Sequence, residues 1–141
     1  MNRLKSIVIG LFFAVLMSIG SPSYTQEAGT ITRITTGFSR TAGGERGVIS
    51  ADGRYVAFIS SNKYLIPNDT NNDNDVVMYD HQTGQLSFVS LNSDGVQSNY
   101  GYFSSLDISA DGRYVAFVTD STNLVPNDTN NRPDVFVRDM Q

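Results

Sequence analysis

The hydrophobic positions of this chain form one long apolar stretch followed by a series of short runs. The long stretch, Ile7–Ile19, is broken only by Gly10 and Ser18. Beyond it, short β-branched and aromatic runs recur within Arg54–Ile59, Asp75–Asp80, Gln85–Leu91, Arg113–Val118 and Asp134–Asp139. Clusters of Gly, Pro, Asn and Asp separate them. Runs of this length and composition predict strands, and the clusters between them are turn and loop formers that a helix does not tolerate. Arg54–Ile59 and Arg113–Val118 show little polar alternation, which predicts strands buried on both faces. The chain beyond the first stretch reads as nearly all β.

The runs repeat. Ile49–Asp80 and Ile108–Asp139 align without a gap at an offset of 59, with 20 of 32 positions identical. ISADGRYVAF recurs letter for letter, PNDTNN stands at Pro67–Asn72 and again at Pro126–Asn131, and Asp75-Val76 returns as Asp134-Val135. Self-similarity at a fixed period marks a tandem structural unit. Asp52-Gly53 and Asp111-Gly112 are short hairpin signals, because Gly accepts positive φ and Asp bonds locally to the backbone. Thr83-Gly84 supplies another turn. In the second copy strand a runs through Leu106–Ser109, b through Arg113–Val118 and c through Asp134–Arg138, while strand d is visible as Gln85–Leu91 in the first copy. Gly29–Thr35 resembles Gly84–Ser90 and is expected as an extra strand d. Four antiparallel strands repeated in tandem and buried on both faces predict β-propeller blades. The expected fold is all-β, a partial propeller of about two four-stranded blades. One blade covers 47–91 and an incomplete one 105–141, with the extra strand at 29–35.

The ISADGRYVAF block resembles the TolB-type propeller repeat, in which Ser-Pro-Asp-Gly precedes an apolar strand; Ala51 and Ala110 stand here where that Pro would be. The continuation LIPNDTNNDNDVVMYDHQTG is similar to a long-blade variant of exported bacterial proteins. The resemblance covers roughly Gly29 to Gln141 and implies a WD-repeat-like propeller. It does not imply TolB itself, which places an α/β domain ahead of its propeller.

The first stretch changes the domain picture. Arg3 and Lys5 precede it, small residues follow at Gly20, Ser21 and Ser23, and no further charge occurs before Glu27. A positive start, a short apolar run and small exit residues predict a secretory signal peptide over 1–25, cut between Ser21 and Ala28. A membrane span would need about 20 apolar residues. The expected location is therefore periplasmic or extracellular, with no membrane attachment after cleavage. The chain has no Cys, so packing and backbone pairing alone must stabilise it. Past Lys5, eight Lys/Arg face 14 Asp/Glu, a net charge of −6. That balance argues against nucleic acid as a partner.

A WD-type blade takes about 40–45 residues, so a 59-residue period carries surplus chain. The a–b and c–d turns are short, at Ala51–Gly53 and His81–Gly84. The long connections are Asn62–Asn74 and Thr119–Pro133 between b and c, and Asn92–Ser105 between d and a. Alternating strand direction puts all of them on one face, the expected place for recognition. Asp69, Asn71, Asp73 and Asp75 have the alternating oxygen spacing of a calcium loop, with Asp80 at its twelfth position. Asn74 replaces the usual Gly, and Arg132 and Pro133 interrupt the second copy. The competing reading of these Asp and Asn residues is a set of Asx-turns. Asp52, Asp111, Arg54 and Arg113 are expected in turn and surface roles. Tyr100, Tyr102 and Phe103 are expected to cap the blade edge, with ligand stacking as the alternative. The only His, His81, has no nucleophile pattern beside it, and no Gly-x-Ser-x-Gly elbow occurs. No enzyme chemistry and no cofactor other than calcium is expected.

Function then reads as an exported binding or scaffold module for a protein or glycan ligand. The alternatives are the propeller portion of a larger prolyl-oligopeptidase-like hydrolase, or a two-blade subunit of a self-assembling ring. Because a ring needs about four blades or more, the chain is expected to be either a piece of a longer protein or a homo-oligomer.

Overall fold

A computed structural model describes residues 29–35 and 44–141; the expected signal peptide lies outside the described residues. Seven strands follow one another: β1 (Gly44–Ile49), β2 (Tyr55–Ser60), β3 (Asp75–Asp80), β4 (Gln85–Phe88), β5 (Phe103–Ile108), β6 (Tyr114–Thr119) and β7 (Asp134–Asp139). They form two antiparallel meanders, β1-β2-β3-β4 and β5-β6-β7. The two central pairs keep the same register 59 residues apart, Tyr55 opposite Asp80 and Tyr114 opposite Asp139. A repeated sequence has produced a repeated sheet.

The repeated turn explains how. Ser50 Oγ donates to Asp52 Oδ1 at 2.6 Å, Asp52 Oδ1 also accepts from the Arg54 amide, and Ser50 Oγ accepts from the Tyr55 amide. Gly53 closes the turn at φ 75°. The Arg54 guanidinium then grips Asp80 through two bonds of 3.1 and 2.8 Å and lies 4.7 Å over the Tyr55 ring. Ser109, Asp111, Gly112, Arg113, Tyr114 and Asp139 repeat the arrangement, with Arg113 to Asp139 at 3.0 and 2.8 Å. The turn and surface roles expected for these Asp and Arg residues are the ones they occupy. The paired guanidinium is the main reason that Asp80 and Asp139 are held below the ordinary carboxylate range.

The sheets pack face against face. Ala57, Ile59, Val76 and Met78 of the first meet Phe103, Val115, Phe117 and Leu124 of the second in one buried cluster. Phe117 makes an edge contact with Phe103 at 5.9 Å and stacks on Phe136 at 5.8 Å. β5 lies beside β1 and β2, and the turn of one sheet bonds the turn of the other, from the Ala51 amide to the Ala110 carbonyl at 3.0 Å. Two meanders stacked face to face with their first strands adjacent have the architecture of neighbouring β-propeller blades.

Four expectations are corrected. Gly29–Thr35 forms no strand; its alternating Thr and Ile suit a strand, but a strand also needs a ladder partner. Ile34 instead packs its side chain on the outer face of the first sheet, against the cluster of Phe58, Ile66 and Val77. The second blade begins at Phe103, not 105, because a bulge between Phe103 and Ser105 lets Phe103 pair with Thr119 and enter the core. For a similar reason the first blade begins at Gly44, ahead of 47, with a bulge between Glu45 and Val48. Finally, β2 is covered on both faces but β6 alternates, with Tyr114 exposed and Ala116 and Val118 half-buried. Only one face of the second sheet has a partner among the described residues.

Gly53 and Gly112 offer a test of the blade contact. Both turns run at positive φ, 75° and 74°. A methyl group at Gly53 would meet open space, whereas at Gly112 it would drive into the Tyr55 ring of the neighbouring sheet. Gly53→Ala and Gly112→Ala should share the backbone cost, and only Gly112→Ala should add an overpacking cost of about 1–3 kcal/mol. Chemical denaturation of both variants measures the difference; equal losses would mean that the two turns are equivalent in environment.

Candidate functional site: the long-loop face

The strand order puts residues 61–74, 89–102 and 120–133 at one end of the sheets and the short turns at the other. Local chemistry shapes these loops. Asn68 and Asn72 adopt positive φ, 69° and 56°, and Asn127 and Asn131 do the same at 63° and 51°. Asn tolerates the left-handed region better than other residues with a side chain. The repeated PNDTNN thus encodes a repeated backbone path.

The expected calcium positions are used inside this path. Asn71 Oδ1 accepts from the Asp73 amide, and Asp69 Oδ1 from the Asn72 amide. Asp73 turns away, its two oxygens accepting from the amides of Asn74 and Gly101. Asp75 lies buried at the start of β3, its Oδ1 accepting from Ser90 Oγ and Asn71 Nδ2. Asn71 and Asp75 are therefore brought together, while Asp69 serves its own turn and Asp73 ties its loop to Gly101 of the 89–102 loop. Among the described residues, no three acidic, His or Cys side chains are grouped to hold a metal. In the second copy Asn130 repeats the role of Asn71, donating to Asp134 at 2.9 Å and accepting from the Arg132 amide. Asp80, at the far end of β3, is committed to Arg54.

Three side chains that sequence reasoning passed over knit the loops into one layer. Gln97 Oε1 accepts from the Thr70 amide, the Thr70 hydroxyl and the Asn71 amide, at 2.9, 2.7 and 3.2 Å. Asn99 Oδ1 accepts from Ser121 Oγ at 2.7 Å and the Thr122 amide at 3.0 Å. Asn123 Nδ2 returns a bond of 2.8 Å to the Gln97 carbonyl. The 89–102 loop is thereby tied to the loop of its own blade and to that of the next. It occurs only once in the chain, so no second copy marks its important residues. Of the three aromatics expected at the blade edge, Phe103 is core, and Tyr100 and Tyr102 stand exposed.

The short-turn end carries a cleft of about 220 Å³ between the sheets, lined by Tyr55, Met78, Asp80, Gly112, Arg113 and Met140 among others. His81, also at this end, makes an edge contact with Tyr79 at 6.2 Å. No described helix is long and apolar enough to cross a membrane.

With this geometry in hand, two solved structures are similar to the chain. One is the β-propeller domain of the Trilobed protease from Pyrococcus furiosus, described as having an open velcro topology. Its TM-score is 0.38 at 19% identity, over 53% of this chain and 20% of that one. The other is TolB from Acinetobacter baumannii, with TM-score 0.36 and 18% identity over 70% of this chain and 18% of that one. The chain spans about a fifth of the length of these structures. No protein-family model and no curated protein matches the sequence. The two sheets have the architecture of propeller blades on the strength of their strand order, their packing and their repeated turn.

The buried Asp75 gives a pH signature. Burial pushes its carboxyl up to about 6; Ser90 and Asn71 oppose this, and the nearby charges of Asp69 and Asp73 add to it. A carboxyl raised on folding contributes stability that is complete below the unfolded value near 4 and lost as pH rises through about 6. The melting temperature should therefore fall between pH 4 and 6.5, by an amount equivalent to roughly 3 kcal/mol at most. In Asp75→Asn this part of the fall should disappear; a profile identical to the parent's would place the titration elsewhere.

Proposed function

We propose that this chain is part of an exported β-propeller binding module, which engages a carbohydrate through its long-loop face. The observation that carries the reading is the exposure of Tyr100 and Tyr102, 52% and 61%, on a layer whose backbone is held by side-chain amides. Two exposed tyrosines on a loop held this firmly present flat apolar area at small entropic cost, next to a surface rich in Asn, Gln and Thr. A sugar ring needs that combination, an aromatic plane for its C–H face and amide groups for its hydroxyls. The negative charge of the chain beyond Lys5 suits a neutral or basic ligand better than a polyanion. The apolar stretch Ile7–Ile19 behind Arg3 and Lys5 supports export.

A glycan array probed with the purified chain tests the reading. Binding to a restricted set of structures is expected, weakened at least tenfold in a Tyr100→Ala/Tyr102→Ala variant of unchanged melting temperature. No binding to any glycan, or binding unaffected by losing both rings, overturns it.

A further inference from the structure

We propose that the neck of the 61–74 loop is a binding site for one buried water molecule, which bridges Asn62 to Asp75 beneath the loop face. The inference is independent of the carbohydrate reading. Ser60 and Asp75 face each other in the ladder, where the loop leaves the sheet and rejoins it. Asn62 and Asp75 are 5% and 2% exposed, and both line a cavity of about 10 Å³. The other polar groups of Asn62 are used. Its amide donates to Ser60 Oγ, its carbonyl accepts from the Leu65 amide, and its Oδ1 accepts from the Tyr64 amide. Asp75 Oδ1 is taken by Ser90 and Asn71. That leaves Asn62 Nδ2 and Asp75 Oδ2, both buried and without a hydrogen-bond partner among the described residues. A donor and a carboxylate oxygen left bare at this depth are both costly.

The chemistry of the pair selects the occupant. A metal cation suits Asp75 Oδ2 but is repelled by the amide hydrogens of Asn62. That amide cannot turn over to present its oxygen without giving up the Tyr64 amide, bonded at 3.1 Å. An anion suits Asn62 Nδ2 but is repelled by Asp75 and by Asp69, which also lines the cavity. Water accepts from one and donates to the other, and a single molecule needs about 10–15 Å³ of such space. Leu65, Ile66 and Phe88 wall the rest with apolar surface. The second copy closes its neck differently. Ser121 stands 59 residues on from Asn62, and its Oγ bonds Asn99 at 2.7 Å. Asp134, the equivalent of Asp75, is only half-buried, and its Oδ2 accepts from Asn130 at 2.9 Å. Side chains thus close the second neck, and water closes the first. The bridge lies at the base of the loop that Gln97 ties, through Thr70 and Asn71, to the 89–102 loop.

A high-resolution crystal structure of the purified chain reads the site directly. Expected is one solvent peak about 2.7–3.2 Å from both Asn62 Nδ2 and Asp75 Oδ2. In solution, magnetic relaxation dispersion of the water oxygen nuclei should detect a molecule that stays bound far longer than surface hydration. Asn62→Leu, similar in size but without the donor, should hold one long-lived water fewer at parental circular dichroism. Should that variant fail to fold, the solvent peak and the dispersion of the parent decide alone. An empty cavity or a direct bond between Asn62 and Asp75 overturns the proposal. So does a peak ringed by six or more oxygens at about 2.3–2.6 Å, the mark of a cation. A parent without a long-lived water, or a folded Asn62→Leu chain that loses none, overturns it as well.

Discussion

The apolar seam between the two sheets is the interaction on which the rest of the molecule depends. Ala57, Ile59, Val76 and Met78 on one side and Phe103, Val115, Phe117 and Leu124 on the other are all buried. Each large side chain contributes about 1.5–3 kcal/mol by leaving water. No disulfide assists, and a single small antiparallel sheet would have no core of its own. The seam also sets the relative position of the loops. Ala51 and Ala110 meet at the short-turn end, and Asn99 and Ser121 at the long-loop end. A face built from loops of two blades exists only because the blades are clamped beneath it.

The polar chemistry divides into two kinds. At the short-turn end Ser, Asp, Gly and Arg form a self-contained unit that closes each hairpin and locks it to the end of the following strand through a two-pronged Arg–carboxylate pair. At the long-loop end the bonds run between segments distant in sequence, through Gln97, Asn99 and Asn123. The first kind stabilises a blade and is indifferent to what lies beside it. The second kind fixes a surface. Asp69 and Asp73, spaced like metal ligands, act as acceptors for backbone amides: Asn72 bonds Asp69, and Asn74 of the same loop and Gly101 of the next bond Asp73.

Asp75 stands between the two kinds. It begins a strand, yet its Oδ1 links Asn71 of the loop to Ser90 beyond β4, and Oδ2 is buried without a partner among the described residues. An incompletely satisfied buried carboxylate is costly when charged, which is why its titration rises while that of Asp80, held by a guanidinium, falls. One residue type thus behaves in opposite ways at the two ends of the same strand.

Strand order, repeat length and the side on which the surplus chain falls were legible from residues alone, because they follow from local chemistry. Positive φ at Gly and Asn, β-branched runs and a 59-residue period each act within a few neighbours. The turn roles of Asp52, Arg54, Asp111 and Arg113 belong with them, whereas the pairing of the two Arg with Asp80 and Asp139 became visible only in the folded sheets. What depended on distant contacts was not legible. Gly29–Thr35 has strand-like alternation but no strand, since alternation cannot provide a ladder partner. Phe103 and Tyr102 are adjacent aromatics, and only the seam decides that one is core and the other surface. ISADGRYVAF is identical in both copies, yet one apolar face is covered and the other bare. Identical residues specify identical strands, while burial is a property of what packs against them, and that was decided only when the two sheets met.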